Sequence, residues 1–382
     1  MTKDYKSEQA PVNWPVSLVL GLTFLAAVTI VPWYGFVHGF SNWAWIFFAI
    51  FLVASGIGIG SGYHRLWSHR AYEANWVMRL YLAIAGGMAL QNSILVWCIR
   101  HRFHHRDVDN NEKDPYSIGR GFWFAHIGWM LKDYESGRLD WSVVPDLERD
   151  PIVAWQHKYY WPLVAVTNIG LPLLLGWMVG DVWGVLLLAG ILRLVVSHHV
   201  TFFINSLAHM WGSRPYTDEN SARDNWFLAI VTYGEGYHNF HHLFQSDYRN
   251  GIRWWQYDIN KWFIATCAWL GMAKNLKRTP DFKIQRARLA MIFKKAQAKI
   301  ERSSGNSRWR ELLENEYTQF KETVNQWQQL QLERVQQGMQ QGRQKLAYAI
   351  DQSNLTVRYR ELERELRMQR KRVIMLTAQF VG

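Results

Sequence analysis

The sequence predicts an all-α integral membrane protein: four transmembrane helices arranged as two hairpins under a cytoplasmic helical cap, followed by a long C-terminal helical extension. Three observations carry this reading. Apolar runs cover 16–37, 43–63, 161–179 and 183–208, and about 20 apolar residues are needed to cross roughly 30 Å of hydrocarbon. The 382 residues include 22 Trp, 17 Tyr and 19 Phe, a load suited to the headgroup layers where amphipathic rings settle. The mean hydropathy of −0.19 averages two unlike parts, since residues 283–382 carry 20 Lys and Arg against 10 Asp and Glu and contain no Pro. With only Cys98 and Cys267, a disulfide framework is excluded and a reducing compartment is expected. This composition speaks against both a secreted scaffold and a freely soluble enzyme.

Residues 1–15 are polar, include Lys3, Asp4, Lys6 and Glu8, and lack the layout of a cleaved signal; they read as a cytoplasmic N-terminal segment. The connectors 38–42 and 180–182 leave room only for tight turns, which pairs the spans into hairpins. Neither connector holds Lys or Arg, whereas Arg65, Arg70, Arg100, Arg102, Arg106 and Lys132 fall on the other side. The positive-inside rule then puts the bulk of the chain and both termini in the cytoplasm. A membrane domain is expected over 16–280 and a basic tail over 281–382. In the tail, Leu313, Tyr317, Phe320, Val324 and Trp327 recur at steps of 4 and 3, a helical and coiled-coil-like pattern. It fades into Gln-rich sequence over 326–344 with Gly338 and Gly342 inside it. The tail reads as a solvated helical extension, and its basic charge also suits a membrane surface or a partner.

Nine of the 14 His fall into four tight groups: His64 and His69 in HRLWSH; His101, His104 and His105 in HRFHH; His209 in NSLAH; His238, His241 and His242 in HNFHH. On a helix, positions i, i+3 and i+4 lie within roughly a 100° arc, so each H-x-x-H-H is expected to aim three imidazoles at one point. Residues five apart are roughly 140° apart on a regular helix, so His64 should end the second span and His69 lie beyond a break, with Gly58, Gly60 and Gly62 upstream permitting close packing or distortion. Imidazole suits Fe, Cu, Zn and Ni, and nine neutral rings are too many for one ion and suit two. His38, His126, His157, His198 and His199 are assigned no metal role. A fifth apolar stretch, 77–97, contains Arg79, Gln91 and Asn92. Were it to span the bilayer, His101–His105 would face the opposite side from His64 and His69, so it is read as re-entrant or surface-lying.

The boxes HRLWSH, HRFHH and HNFHH with NSLAH, and the text MALQN at 88–92, GRGFWFAHIGWML at 119–131, GSRPY and GEGYHNFHH, resemble the membrane-bound Δ9 fatty acyl desaturases of the stearoyl-CoA desaturase type. The resemblance covers roughly 20–275 and omits the tail. It implies that the cytoplasmic cap carries a His-rich, non-haem di-iron site. The implied ligands are His64, His69, His101, His104, His105, His209, His238, His241 and His242, with Asn205 reaching one iron through a water; no catalytic residue is implied beyond these. Glu235 and either Asp107 or Asp109 are candidates to orient the rings. The implied reaction uses O2 and two electrons to place a cis double bond, expected at Δ9, in a long-chain saturated acyl group. Gln91, Trp97, Thr201 and Phe202 match the bend of the substrate tunnel, with Phe202 standing where the animal enzymes have Trp.

At the tunnel mouth the chain departs from the animal enzymes. It has Ile99-Arg100 where they have an Arg-Asp pair, and Asp133-Tyr134 where they have a basic pair. Acyl-CoA is the expected carrier, with acyl-lipid and acyl-carrier protein as alternatives. Without an HPGG haem segment, electrons are expected from a separate ferredoxin-like or cytochrome donor with its reductase. Such a chain looks bacterial, with the bacterial inner membrane as its expected place; a nucleic-acid partner is not expected. The rival readings are a di-iron membrane hydroxylase of the alkane or sterol type and a non-enzymatic membrane metal-binding protein.

Overall fold

The computed structural model of the protein describes residues 10–302, 307–340 and 345–379. Most of the N-terminal segment 1–15, and Gly342, lie outside the described residues. The chain divides into two compact units, one comprising the residues up to Ser213 with Asn220–Arg278, the other Arg214–Glu219 with the residues from Thr279 onward.

The first unit contains four helices long and apolar enough to cross a membrane: Trp14–Val37, Asn42–Ser68, Tyr160–Val179 and Val182–Met210. The first breaks at Thr29 into Trp14–Val28 and Ile30–Val37, because Pro32 has no N–H for the Val28 carbonyl and its ring crowds that oxygen. Ser41 starts the second span by accepting from the Ala44 N–H at 3.2 Å. Its own N–H donates to Asp181 Oδ2 at 3.1 Å, and Asp181 Oδ1 in turn accepts from Gly184 N–H at 2.9 Å. The two short connectors therefore meet at one end of the spans.

The second span runs five residues beyond the expected end at 63, to Ser68, and no break separates His64 from His69. Its last part, Gly58–Ser68, is a π-helix, whose i→i+5 bonds bring residues five apart onto one face. Glycine is required at its start: a Cβ on Gly58 would lie 2.2 Å from the Gly86 backbone nitrogen, and one on Gly60 would lie 2.2 Å from Asn260 Nδ2. The stretch 77–97 is not one helix. Trp76–Met88 is capped at its start by Asn75, and its 13 residues reach about 20 Å, short of the hydrocarbon thickness. A turn comes next, and Ile94–Asp107 then carries the HRFHH box.

The second unit is built around three helices, Asp281–Arg302, Ser307–Gln340 and Lys345–Gln379. Their core includes Phe282, Leu289, Phe293, Leu313, Phe320, Trp327, Leu366 and Val373, with Phe282 stacked on Trp327 at 4.4 Å. Leu313, Phe320 and Trp327, seven apart, are the buried positions of the repeat, while Tyr317 and Val324 flank them. The last helix buries Leu362, Leu366 and Val373 at steps of 4 and 7 within a charged stretch.

Candidate metal centre

All nine clustered histidines converge, but in two groups: His64, His69, His101, His105 and His241, and separately His104, His209, His238 and His242. The potential ligand atoms within each group lie within 4.8 Å of one another. Neither H-x-x-H-H box aims at a single point, which corrects the sequence expectation. On a helix of 100° per residue, i and i+4 are 40° apart, while i+3 lies 60° to the other side of i. Each box therefore splits. The pair His101/His105 joins the first group and His104 the second, whereas the pair His238/His242 joins the second and His241 the first. His64 and His69 share the first group because the π-turn closes between them, with His69 N–H donating to His64 O at 3.1 Å.

Outward-facing partners orient the rings. Glu235 Oε2 lies 3.1 Å from His64 Nδ1, and both oxygens of Asp114 lie 3.0 Å from His104 Nδ1. His209 Nδ1 meets Ser221 Oγ at 2.7 Å, and Ser221 donates to Asp109 Oδ1 at 2.5 Å. With the proton held on Nδ1 in each case, the Nε2 lone pair points inward. The inward nitrogens approach closely: 2.9 Å for His64–His241 and for His69–His101, 3.0 Å for His105–His241 and for His238–His242. Two such nitrogens bound at right angles about 2.1 Å from one cation would be about 3.0 Å apart. His209 Nε2 is buried with no hydrogen-bond partner among the described residues. The donor set thus fits a cation in each group.

Burial, then repulsion from neighbouring imidazoles, holds His101, His105, His241 and His242 well below the ordinary histidine range, and His238 falls to about 3. These rings are neutral at pH 7 and keep their lone pairs for a metal. Burial alone would raise the Glu235 carboxyl, but the Arg65 charge, then His64, outweighs it and holds it well below the usual carboxylate range.

Glu235 was among the sequence candidates, and Asp109 acts at one remove through Ser221. Asp107 does not touch a ring; it pairs with Arg106 at 2.8 Å. Asp114 was not among them. It is wholly buried yet sits in the polar run NNEKDPYS; the Asp109 and Tyr116 N–H groups, each donating to it at 3.1 Å, help fold that loop back onto the helix. Asp114→Asn keeps the shape but removes the charge that polarises His104, so metal retention by the four-histidine group is expected to fall about 10–100-fold. Chelator competition measures this, and an unchanged retention curve would remove Asp114 from the site.

Other histidines have different partners. His126 Nε2 meets His199 Nδ1 at 3.0 Å, His157 Nδ1 meets Ser93 Oγ at 2.7 Å, and His198 Nε2 donates to Ala89 O at 3.0 Å.

A cavity of about 670 Å³ reaches both histidine groups. Gln91, Trp97, Thr201, Phe202 and Asn205 line it, together with His64, His101 and His238. Trp97 stacks on His101 at 4.7 Å, and Gln91 Nε2 donates to Thr201 Oγ1 at 2.9 Å across the wall. Arg100, Lys132, Asp133 and the largely exposed Arg138 also border it.

Fold and site together define a helical membrane protein with two multi-histidine groups, each able to hold a metal ion, beside a largely apolar cavity. A sequence profile described as "Fatty acid desaturase" matches residues 41–273. The chain is 47% identical over 242 residues, 63% of its length, to the "Probable acyl-CoA desaturase" of Schizosaccharomyces pombe, of which the match covers 50%. It is 38% identical over 315 residues, 81% of its length, to "Acyl-CoA desaturase 1" of Saccharomyces cerevisiae, covering 61% of that protein. It is 34% identical over 273 residues, 69% of its length, to the "sn-2 palmitoyl-lipid 9-desaturase" of Nostoc sp., covering 90% of it. The chain belongs to the fatty acid desaturase family. It spans only about half the length of the first relative and under two thirds of the second.

Proposed function

We propose that the protein is an oxidoreductase that inserts a cis double bond, at Δ9, into a long-chain saturated acyl group. The observation that supports this best is the opening of both imidazole groups onto one apolar cavity. Its wall places Trp97 against His101 and joins Gln91 to Thr201. The nine histidines would hold two iron ions, with Asn205 reaching one of them through a water. Bound there, the irons would supply reductive activation of O2 and removal of one hydrogen from each of two neighbouring methylenes.

The protein's own part is positional. A methylene chain carries no polar handle, so only the shape of the cavity can choose the carbons, and near-attack geometry rewards rigid walls. Trp97 is such a wall, since its ring is fixed by stacking and faces the first group directly. Glu235, Asp114 and Ser221 keep protons on the outward ring nitrogens. The apolar lining excludes bulk water from the reacting carbons.

Acyl-CoA is the carrier we favour, in line with the names of the two yeast relatives; the Nostoc relative's name supports an acyl-lipid as the second reading. Electrons would come from a separate ferredoxin-like or cytochrome donor with its reductase. The four spans would form two hairpins, with the histidine-bearing cap and both termini in the cytoplasm. Expression in an unsaturated-fatty-acid auxotroph tests the reading. Growth without supplement and new monounsaturated acyl chains in the lipids are expected. Hydroxylated chains would point to the hydroxylase, and unaltered lipids with metal bound would point to a non-enzymatic role.

A further inference from the structure

We propose that Arg193 and His198 are positioning residues that clamp the turn at 89–93 and thereby set which methylenes stand at the metal-binding groups. The proposal rests on the desaturase reading above.

The helix Trp76–Met88 ends inside the membrane unit. A helix leaves its last carbonyls without intrahelical partners, and the negative end of its dipole favours a cation there. Arg193 supplies one. It is wholly buried within the fourth span, and no carboxylate pairs with it among the described residues. An arginine at such depth is costly and marks function by default. Three of its N–H groups donate to oxygens. Nη1 donates to Met88 O at 2.9 Å, Nε to Ala189 O of its own helix at 2.9 Å, and Nη2 to Asn168 Oδ1 at 2.6 Å. His198 Nε2 donates to the next carbonyl of the ending helix, Ala89 O, at 3.0 Å. Two side chains of one span thus hold two successive carbonyls at the end of another helix.

The backbone just past those carbonyls is strained. Leu90 and Asn92 have φ of +52° and +75°, a left-handed conformation unfavourable for residues with a Cβ. Such backbone persists only where its surroundings over-determine it. The far side of the turn is held as well: Asn92 N–H donates to Tyr160 Oη at 2.9 Å and Ile94 N–H to Gln156 Oε1 at 3.1 Å.

The turn is the common root of two parts of the site. Leu90, Gln91 and Asn92 line the cavity, and the helix that starts at Ile94 carries Trp97 and His101. Shifting the turn moves the cavity bend relative to the imidazoles. Arg193 itself does not border the cavity, so it acts only through the turn.

The test uses the full-length chain in a host fed saturated fatty acid, with double-bond positions read by mass spectrometry of derivatised methyl esters. A displacement of about 1 Å can cost roughly 100-fold in rate at the favoured carbon. Arg193→Gln is therefore expected to raise products unsaturated at neighbouring positions by about tenfold or more. Bound metal per chain should stay the same, and Arg193→Lys, which keeps the cation, should restore most of the selectivity. Lower yield with an unchanged isomer distribution would overturn the proposal, because a merely structural role predicts that result. If Arg193→Gln does not fold, Asn168→Leu decides through the isomer ratio, because Asn168 holds Arg193 Nη2 at 2.6 Å and, like Arg193, does not border the cavity. A wild-type chain that makes no unsaturated product overturns the desaturase reading and this proposal with it.

Discussion

His104→Ala and His241→Ala should each abolish turnover, by emptying different metal-binding groups. His104 is the one residue of its box in the four-histidine group, and His241 the one residue of its box in the five-histidine group. Removing His104 leaves three imidazoles there. It also strands the buried Asp114 carboxylate, whose imidazole partner is lost. Removing His241 deletes the ring whose Nε2 lies within 3.0 Å of both His64 and His105, so the remaining nitrogens lose their common neighbour. Because the groups are built from separate side chains, bound metal in either variant should fall from about two ions per chain to about one. Metal analysis of purified protein beside an oxygen-dependent turnover assay checks both points. Normal turnover in either variant contradicts the ligand assignment, and loss of all metal in both would show that the groups fill only together.

Arg65→Met should be the most damaging single change away from the metal-binding histidines. The Arg65 guanidinium is 1% exposed and bridges Glu235 at 2.8 Å, Asp258 at 3.0 Å and Tyr248 O at 2.8 Å. Methionine fills the space but leaves two buried carboxylates facing each other. Breaking a buried pair by removing one partner costs about 3–5 kcal/mol, which corresponds to a fall of about 10 °C in melting temperature for a domain of this size. The pH dependence should change as well. Glu235 is depressed in the folded protein, chiefly by Arg65 among the favourable influences. The stability it contributes is therefore present in full above its unfolded value near 4.5 and drains away as pH falls below that. Without Arg65, burial dominates and the carboxyl should take up a proton at higher pH, so the variant should lose less on acidification than the wild type. Melting curves in detergent at pH 7 and pH 4 measure both effects. A variant that melts with the wild type at pH 7 would show that the bridge carries no net stability.

Much of the site was legible because its chemistry is local in the chain. Imidazoles at HRLWSH, HRFHH and HNFHH can be picked out by residue type alone, and NSLAH adds His209. Their sorting was not legible. The expectation of one focus per box failed because a 100° arc is wide enough for i+3 to serve a different ion from i and i+4. The expected break between His64 and His69 failed because a π-turn depends on what packs against it. Gly58 and Gly60 let Gly86 and Asn260 approach too closely for a Cβ; the glycines announced close packing, but nothing within 58–69 names those partners. Asp114 stayed hidden for the opposite reason: a polar run gives no sign that one of its carboxylates is buried ten residues away beside His104.

The tail divides in the same way. Leu313, Phe320 and Trp327 mark a helix by their spacing, and all three are buried in the second unit. Among its described residues the helix Lys345–Gln379 buries Leu362, Leu366 and Val373 in that core, with Tyr359 packed against it, and so sparse an apolar stripe among charges is distinguishable from a solvated helix only once its partners are known.

By itself the amino-acid sequence determined which segments could cross a membrane, that nine imidazoles were available, and that they suited two ions, because hydropathy and residue chemistry are properties of short stretches of chain. Only the tertiary structure decided which imidazole joins which group, which carboxylate steadies it, and how Arg193 grips a helix end more than a hundred residues away in sequence. Those outcomes turn on differences of an ångström or two between distant segments, and no local pattern encodes such a distance.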